Sequence, residues 1–150
     1  MLPEARLIKS ESTLRELSLS DETLMTRKAM VRWLALSFGL IHPNETRLLL
    51  LDVFDAALEF HIKNKNPTTK EIITRLEENT KTKQNPKAVY YHLQRLLTCG
   101  ILSRKKGMYC IGEGNGKRLR EIFREFYIKK LDSGFSNIER VLEKLETSQI

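Results

Sequence analysis

The chain has 150 residues, 41% hydrophobic and 30% charged, which matches a soluble globular protein. It excludes a membrane span, which needs ~18 uncharged apolar residues; Leu48 to Leu51 is as long an apolar run as the sequence contains. The net charge of +7 is concentrated: Asn79 to Gly112 holds Lys81, Lys83, Lys87, Arg95, Arg104, Lys105 and Lys106 with no Asp or Glu, while the other residues carry 19 charges of each sign. A surface needing only solubility would intersperse the signs, whereas a phosphate backbone rewards a concentrated positive field.

Met1-Leu2-Pro3-Glu4-Ala5-Arg6 has no apolar stretch behind a basic start, so no secretory signal is expected and the cytoplasm is the default compartment. The two cysteines, Cys99 and Cys110, lack the CxxC or His partners of metal or redox sites, so reduced thiols and no metal or cofactor are expected.

In chain order, residues 1 to 19 mix Leu7, Ile8, Leu14, Leu17 and Leu19 with charges and read as an arm or short helix. A first firm helix is expected from Ser20, an N-cap followed by Asp21 and Glu22, to a stop at Gly39, with Leu24, Val31, Leu34, Ala35 and Phe38 on one stripe and Trp33 at its border. Pro43 breaks the chain, Asn44 caps again, and Glu45 to Ile62 is apolar nearly all round, so it belongs in the middle. After the Asn64-Lys65-Asn66-Pro67 turn, Thr68 and Glu71 have capping-box spacing and start a short helix that buries Ile72, Ile73 and Leu76. A polar connector, Asn79 to Gln84, leads to Asn85-Pro86, an N-cap with proline at the first helical position, and this helix runs to about Cys99 and stops at Gly100. Ile101 to Arg104 and Met108 to Ile111 flank a Lys105-Lys106-Gly107 tip as a hairpin.

From Lys117 the period returns to 3.6 with Leu119, Ile122, Phe123, Phe126, Tyr127 and Leu131; Gly134 is expected to interrupt the helix before a second stripe of Phe135, Ile138, Val141, Leu142 and Leu145 near heptad spacing. These stripes embrace the rest of the chain or meet a second copy, and a homodimer is the favoured reading. The expected domains are 1–42 (arm and helix), 43–114 (DNA-binding unit) and 115–150 (dimerising helices).

The stretch Ala88-Val89-Tyr90-Tyr91-His92-Leu93-Gln94-Arg95-Leu96-Leu97-Thr98-Cys99-Gly100-Ile101-Leu102 resembles the recognition helix and first wing strand of winged helix-turn-helix transcription regulators of bacteria and archaea, over roughly Asn44 to Ile111. The connector before it is longer than in that family and lacks its usual glycine. The resemblance implies a fold that is mainly α with a small β-hairpin, a winged helix-turn-helix flanked by N- and C-terminal helices. It implies sequence-specific binding of double-stranded DNA, with residues 86–99 in the major groove and the wing, 101–111, on the backbone or minor groove.

At 100° per residue, Val89, Leu93, Leu96 and Leu97 share one face, and Lys87, Tyr91, Gln94 and Arg95 point the other way. In a major groove, Arg or Lys can reach guanine O6 and N7, and Gln adenine N6 and N7. Tyr90 lies on the flank, open to core packing or DNA contact. Arg104, Lys105 and Lys106 at the wing can grip phosphates or enter the minor groove. Lys81 and Lys83, with the backbone amides of Thr68 and Thr69, would hold neighbouring phosphates, and Asn85 joins the DNA-facing set at the helix start.

Catalytic patterns are scarce, and no enzyme is expected. His42, His61 and His92 are scattered; Gly112-Glu113-Gly114-Asn115-Gly116 lacks the Lys-Ser/Thr of a phosphate loop and reads as a hinge. No small-molecule effector is legible. The rival readings are a winged helix that binds DNA or RNA without sequence preference and an interaction module of a transcription or chromosome assembly. A module that binds only proteins has no reason to exclude every acid from Asn79 to Gly112.

Overall fold

The computed structural model describes residues 3–46, 48–113 and 116–148. The fold is mainly helical with one two-stranded antiparallel hairpin. The chain divides into two compact units, Met1–Gly114 and Asn115–Ile150.

Within the first unit, residues 8 to 19 form an arm without regular structure that is tied to the end of helix α1, Arg27–Ser37. Helix C-termini leave carbonyls without partners. Here the Arg15 guanidinium donates to Leu36 O and Ile41 O, each at 2.9 Å, and Arg15 N–H reaches Ser37 O at 2.8 Å. Leu40 N–H to Ala35 O and Gly39 N–H to Leu36 O complete a Schellman ending. Gly39 is required there: its φ is +71°, and a Cβ would lie 2.5 Å from Thr13 Cβ. The Trp33 indole N–H donates to Ser18 O at 3.0 Å, holding the arm farther back.

The first helix departs from the sequence expectation. Ser20 does cap, but it caps a 3-10 turn, Asp21–Met25, and Thr26 then starts α1 afresh by accepting from Ala29 N–H. Helix α2, Leu49–Ile62, starts later than expected, because Asn44 takes a left-handed conformation (φ 69°) rather than the extended one of an N-cap. It is the central helix as expected: Leu50, Val53, Phe54 and Ala56 are each at most 1% exposed. Asp55 pairs with Arg27 of α1.

Helix α3, Thr69–Thr80, has the complete capping box, with Glu71 N–H donating to Thr68 Oγ1 and Thr68 N–H donating to Glu71 Oε1. Its Arg75 reaches Glu59 of α2 and Glu78 on α3 itself, and Lys63 reaches Glu59 as well. The Arg75 hydrogen bond holds the Glu59 carboxyl down to about 2. Ile72 and Leu76 are fully buried against α2 and its neighbours. Helix α4, Pro86–Thr98, follows with Asn85 as N-cap and proline at its start. Strands β1, Leu102–Lys105, and β2, Met108–Ile111, pair with Leu102 opposite Ile111 and Lys105 opposite Met108. Strand β2 also touches the entry to α3: Thr68 bridges Met108, and Tyr109 N–H donates to Pro67 O at 2.7 Å.

In the second unit, helix α5, Leu119–Thr147, runs without a break. The expected interruption at Gly134 does not occur: apart from its chain neighbours and the backbone of its own helix, nothing lies within 4 Å of where its Cβ would sit, and its φ is not positive, so the residue carries only glycine's helix penalty. Among the described residues, no helix is long and apolar enough to cross a membrane.

Candidate nucleic-acid interface

Alternating burial on α4 defines the site. Val89, Leu93 and Leu96 are 0% exposed and anchor one face, and Leu97 beside them is half-buried. The opposite face carries Lys87, Tyr91 and Thr98, all exposed, with half-buried Gln94 between them. Thr98 was not singled out in the sequence, although the 100° rule places it between Lys87 and Tyr91. Tyr91 is 62% exposed and Tyr90 44%, so packing against the core does not account for either ring.

Arg95 is the residue whose position differs most from the helix wheel. Its guanidinium donates to Leu40 O at 3.3 Å, which turns it toward the segment after α1 and away from the centre of the open face. His92 is half-buried, with Nδ1 enclosed and without a hydrogen-bond partner; burial, helped by the Arg95 charge, pushes its pKa down from 6.5. It meets Tyr91 edge to face at 5.2 Å, so it braces that ring from behind.

The connector is a built turn. Lys81 adopts the left-handed conformation (φ 59°) that ends α3, the position a glycine would fill, and its N–H donates to Glu77 O. Gln84 N–H donates to the Glu77 carboxylate at 2.9 Å, and Gln84 Nε2 donates to Thr80 Oγ1 at 3.1 Å. This fixes the angle between α3 and α4 and leaves the Lys81 and Lys83 side chains pointing to solvent.

One phosphate anchor inferred from the sequence, the Thr68 amide, is otherwise engaged. The Thr68 amide, expected to be free, donates to Glu71 Oε1, and the Glu71 carboxylate, paired with Lys65, already occupies the start of α3. Lys65 and the Thr68 amide hold that carboxyl below its usual range. The Thr69 hydroxyl donates to the Tyr109 phenol at 3.2 Å. The Asn85 side chain accepts Lys87 N–H at 3.0 Å, which makes it a cap.

The hairpin tip is a two-residue turn, Lys106-Gly107, with both φ values positive (52° and 78°), the geometry whose twist suits a hairpin. Gly107 accommodates this without strain, and Lys106 is held in it with its ammonium in solvent. Arg104 stacks over the Tyr109 ring at 5.0 Å, and Lys105 Nζ donates to Glu113 O at 2.9 Å. The cations therefore fall into two groups: Arg95, Arg104 and Lys105 touch the protein, whereas Lys81, Lys83, Lys87 and Lys106 have no partner among the described residues. The positive end of the α4 dipole adds to the field at Lys87.

Neither Cys99 nor Cys110 forms a disulfide, and no cluster of three or more His, Cys, Asp or Glu able to hold a metal occurs among the described residues. Comparison with protein-family models, curated proteins and solved structures finds no match to this chain.

Proposed function

We propose that the chain is a sequence-specific regulator of transcription that binds double-stranded DNA as a winged helix-turn-helix, with α4 in the major groove and the β1–β2 hairpin as the wing. The observation that carries this reading is the set of four exposed lysines, Lys81, Lys83, Lys87 and Lys106, without a partner among the described residues and spread over connector, helix start and hairpin tip in a segment without a single acid. Long, exposed cationic side chains on a backbone fixed by caps and turn hydrogen bonds suit phosphate contact. The order α2, bridging residue, α3, α4 and hairpin, with β2 pairing back at the start of α3, supports the winged arrangement.

Within it, Tyr91, Gln94 and Thr98 are the side chains offered to base edges, and Lys87, at the helix start on the same face, meets the neighbouring phosphate. Arg95 acts from the flank, and Arg104, stacked over Tyr109, and Lys105, bonded to Glu113 O, are exposed cations of the wing strand. Selection of bound sequences from random duplex DNA tests specificity. The reading expects a consensus, and Tyr91→Ala or Gln94→Ala should relax it at one or two positions while Lys106→Ala weakens all sequences alike. Equal losses for all three variants on selected and random DNA would contradict sequence reading and leave a nonspecific backbone binder.

A further inference from the structure

Seven apolar side chains on the C-terminal part of α5 are between 42% and 66% exposed: Ile128, Leu131, Phe135, Ile138, Val141, Leu142 and Leu145. Six of them repeat at alternating steps of three and four, which makes Ile128, Phe135 and Leu142 the a positions of a heptad and Leu131, Ile138 and Leu145 its d positions. We infer that this seam pairs with the same seam of a second copy, in parallel and in register, as a short coiled coil.

A strict 3.5-residue period is what a second helix of the same pitch needs; a globular surface accepts the ordinary 3.6. Charge then selects the orientation. The e positions are Asp132, Glu139 and Glu146, all acidic, and the g positions are Tyr127, Gly134 and Val141, none charged. An antiparallel pair sets e beside e and lines three acids of one copy against three of the other, at a cost in repulsion. A parallel pair sets each acidic e beside an uncharged g and keeps the two acidic rows on opposite sides of the seam. The area suffices: covering seven half-exposed apolar side chains removes on the order of 600 Å² per copy, so about 1,200 Å² for the pair, the lower bound of a specific interface. Both copies then enter the pair from the same end, whatever the first unit binds.

Sedimentation equilibrium of the full chain should give twice the 17.5 kDa chain mass. Under mild oxidation Leu145→Cys should form a covalent dimer on a non-reducing gel, because a parallel register places d against d; the wild-type chain, with Cys99 half-buried and Cys110 buried, should not. A mixture of Ile128→Cys and Leu145→Cys chains should cross-link only like with like. A monomer mass, a dimer in which Leu145→Cys fails to cross-link, or a mixed Ile128→Cys/Leu145→Cys product as the main species would each overturn the inference. None of these readouts involves DNA, so they stand apart from the test of the first unit.

Discussion

Helices α4 and α5 are both amphipathic, and the chain treats them oppositely. On α4 the apolar stripe is sealed, with Val89, Leu93 and Leu96 at 0% exposure, and what faces solvent is cationic and aromatic. On α5 the apolar stripe itself faces solvent, with Leu131 at 63% and Leu145 at 66%, bordered by acids. The difference shows how to read a leftover face. Where a helix has already spent its hydrophobic stripe on a core, the remaining side chains are available for a polar partner; where it has not, the partner must be apolar.

The largest expected effect breaks the comparison at its base. Leu93→Ala should cost about 2 to 5 kcal/mol in denaturant unfolding of the first unit, since it empties a filled core position. Leu142→Ala, chemically the same change at a 45% exposed site, should alter unfolding of the dissociated chain by less than ~0.5 kcal/mol. Similar losses for both would mean that α5 is as embedded as α4. Next, Tyr91→Ala should weaken binding to a selected duplex by about 1 to 3 kcal/mol in fluorescence anisotropy while leaving the melting temperature unchanged, because its ring is 62% exposed.

A smaller effect concerns the platform beneath α4. Glu59 titrates near 2 in the folded chain against 4.5 when free, because Arg75 hydrogen-bonds its charged form. A depressed carboxylate stabilises fully above the free value and loses that contribution as pH falls from 4.5 toward 2. Glu59→Gln should therefore cost about 1 kcal/mol at neutral pH and flatten the acid limb of stability against pH, as followed by circular dichroism. Smallest is Gly134→Ala. With nothing but its chain neighbours and the backbone of its own helix near the added Cβ, it should stabilise α5 by about 0.5 to 1 kcal/mol, read as increased helical signal on heating, and leave DNA affinity unchanged.

What was legible in the sequence was the local chemistry of caps and turns. The Thr68 to Glu71 box and Asn85-Pro86 lie where their spacing places them, because each is decided within four residues, and the hairpin forms as expected except that Lys105 belongs to β1, Leu102–Lys105, rather than to the tip. Asn44 misled because asparagine serves equally as an N-cap and in the left-handed region, and it takes the latter here. Gly134 misled in the other direction: its penalty is local, and the continuous helix around it absorbs that penalty. The site residues divide along the same line. The open face of α4 follows from periodicity, but Arg95 meets Leu40, 55 positions away, and Tyr109 engages Thr69 across 40, separations that no wheel contains. The Thr68 amide was misread as free, although the capping box read from the same residues consumes it.

The central claim, that the exposed lysines Lys81, Lys83, Lys87 and Lys106 form a phosphate-binding surface, is tested most directly by duplex DNA affinity measured against salt. The wild-type chain should lose affinity steeply, with log K falling by about 0.9 per log unit of salt for each phosphate neutralised. The combined Lys81→Ala, Lys83→Ala, Lys87→Ala and Lys106→Ala variant should fold normally, since none of these side chains has a partner among the described residues, and should show a slope shallower by about 3 to 4. A flat wild-type titration, or a slope the four substitutions leave untouched, would contradict the account.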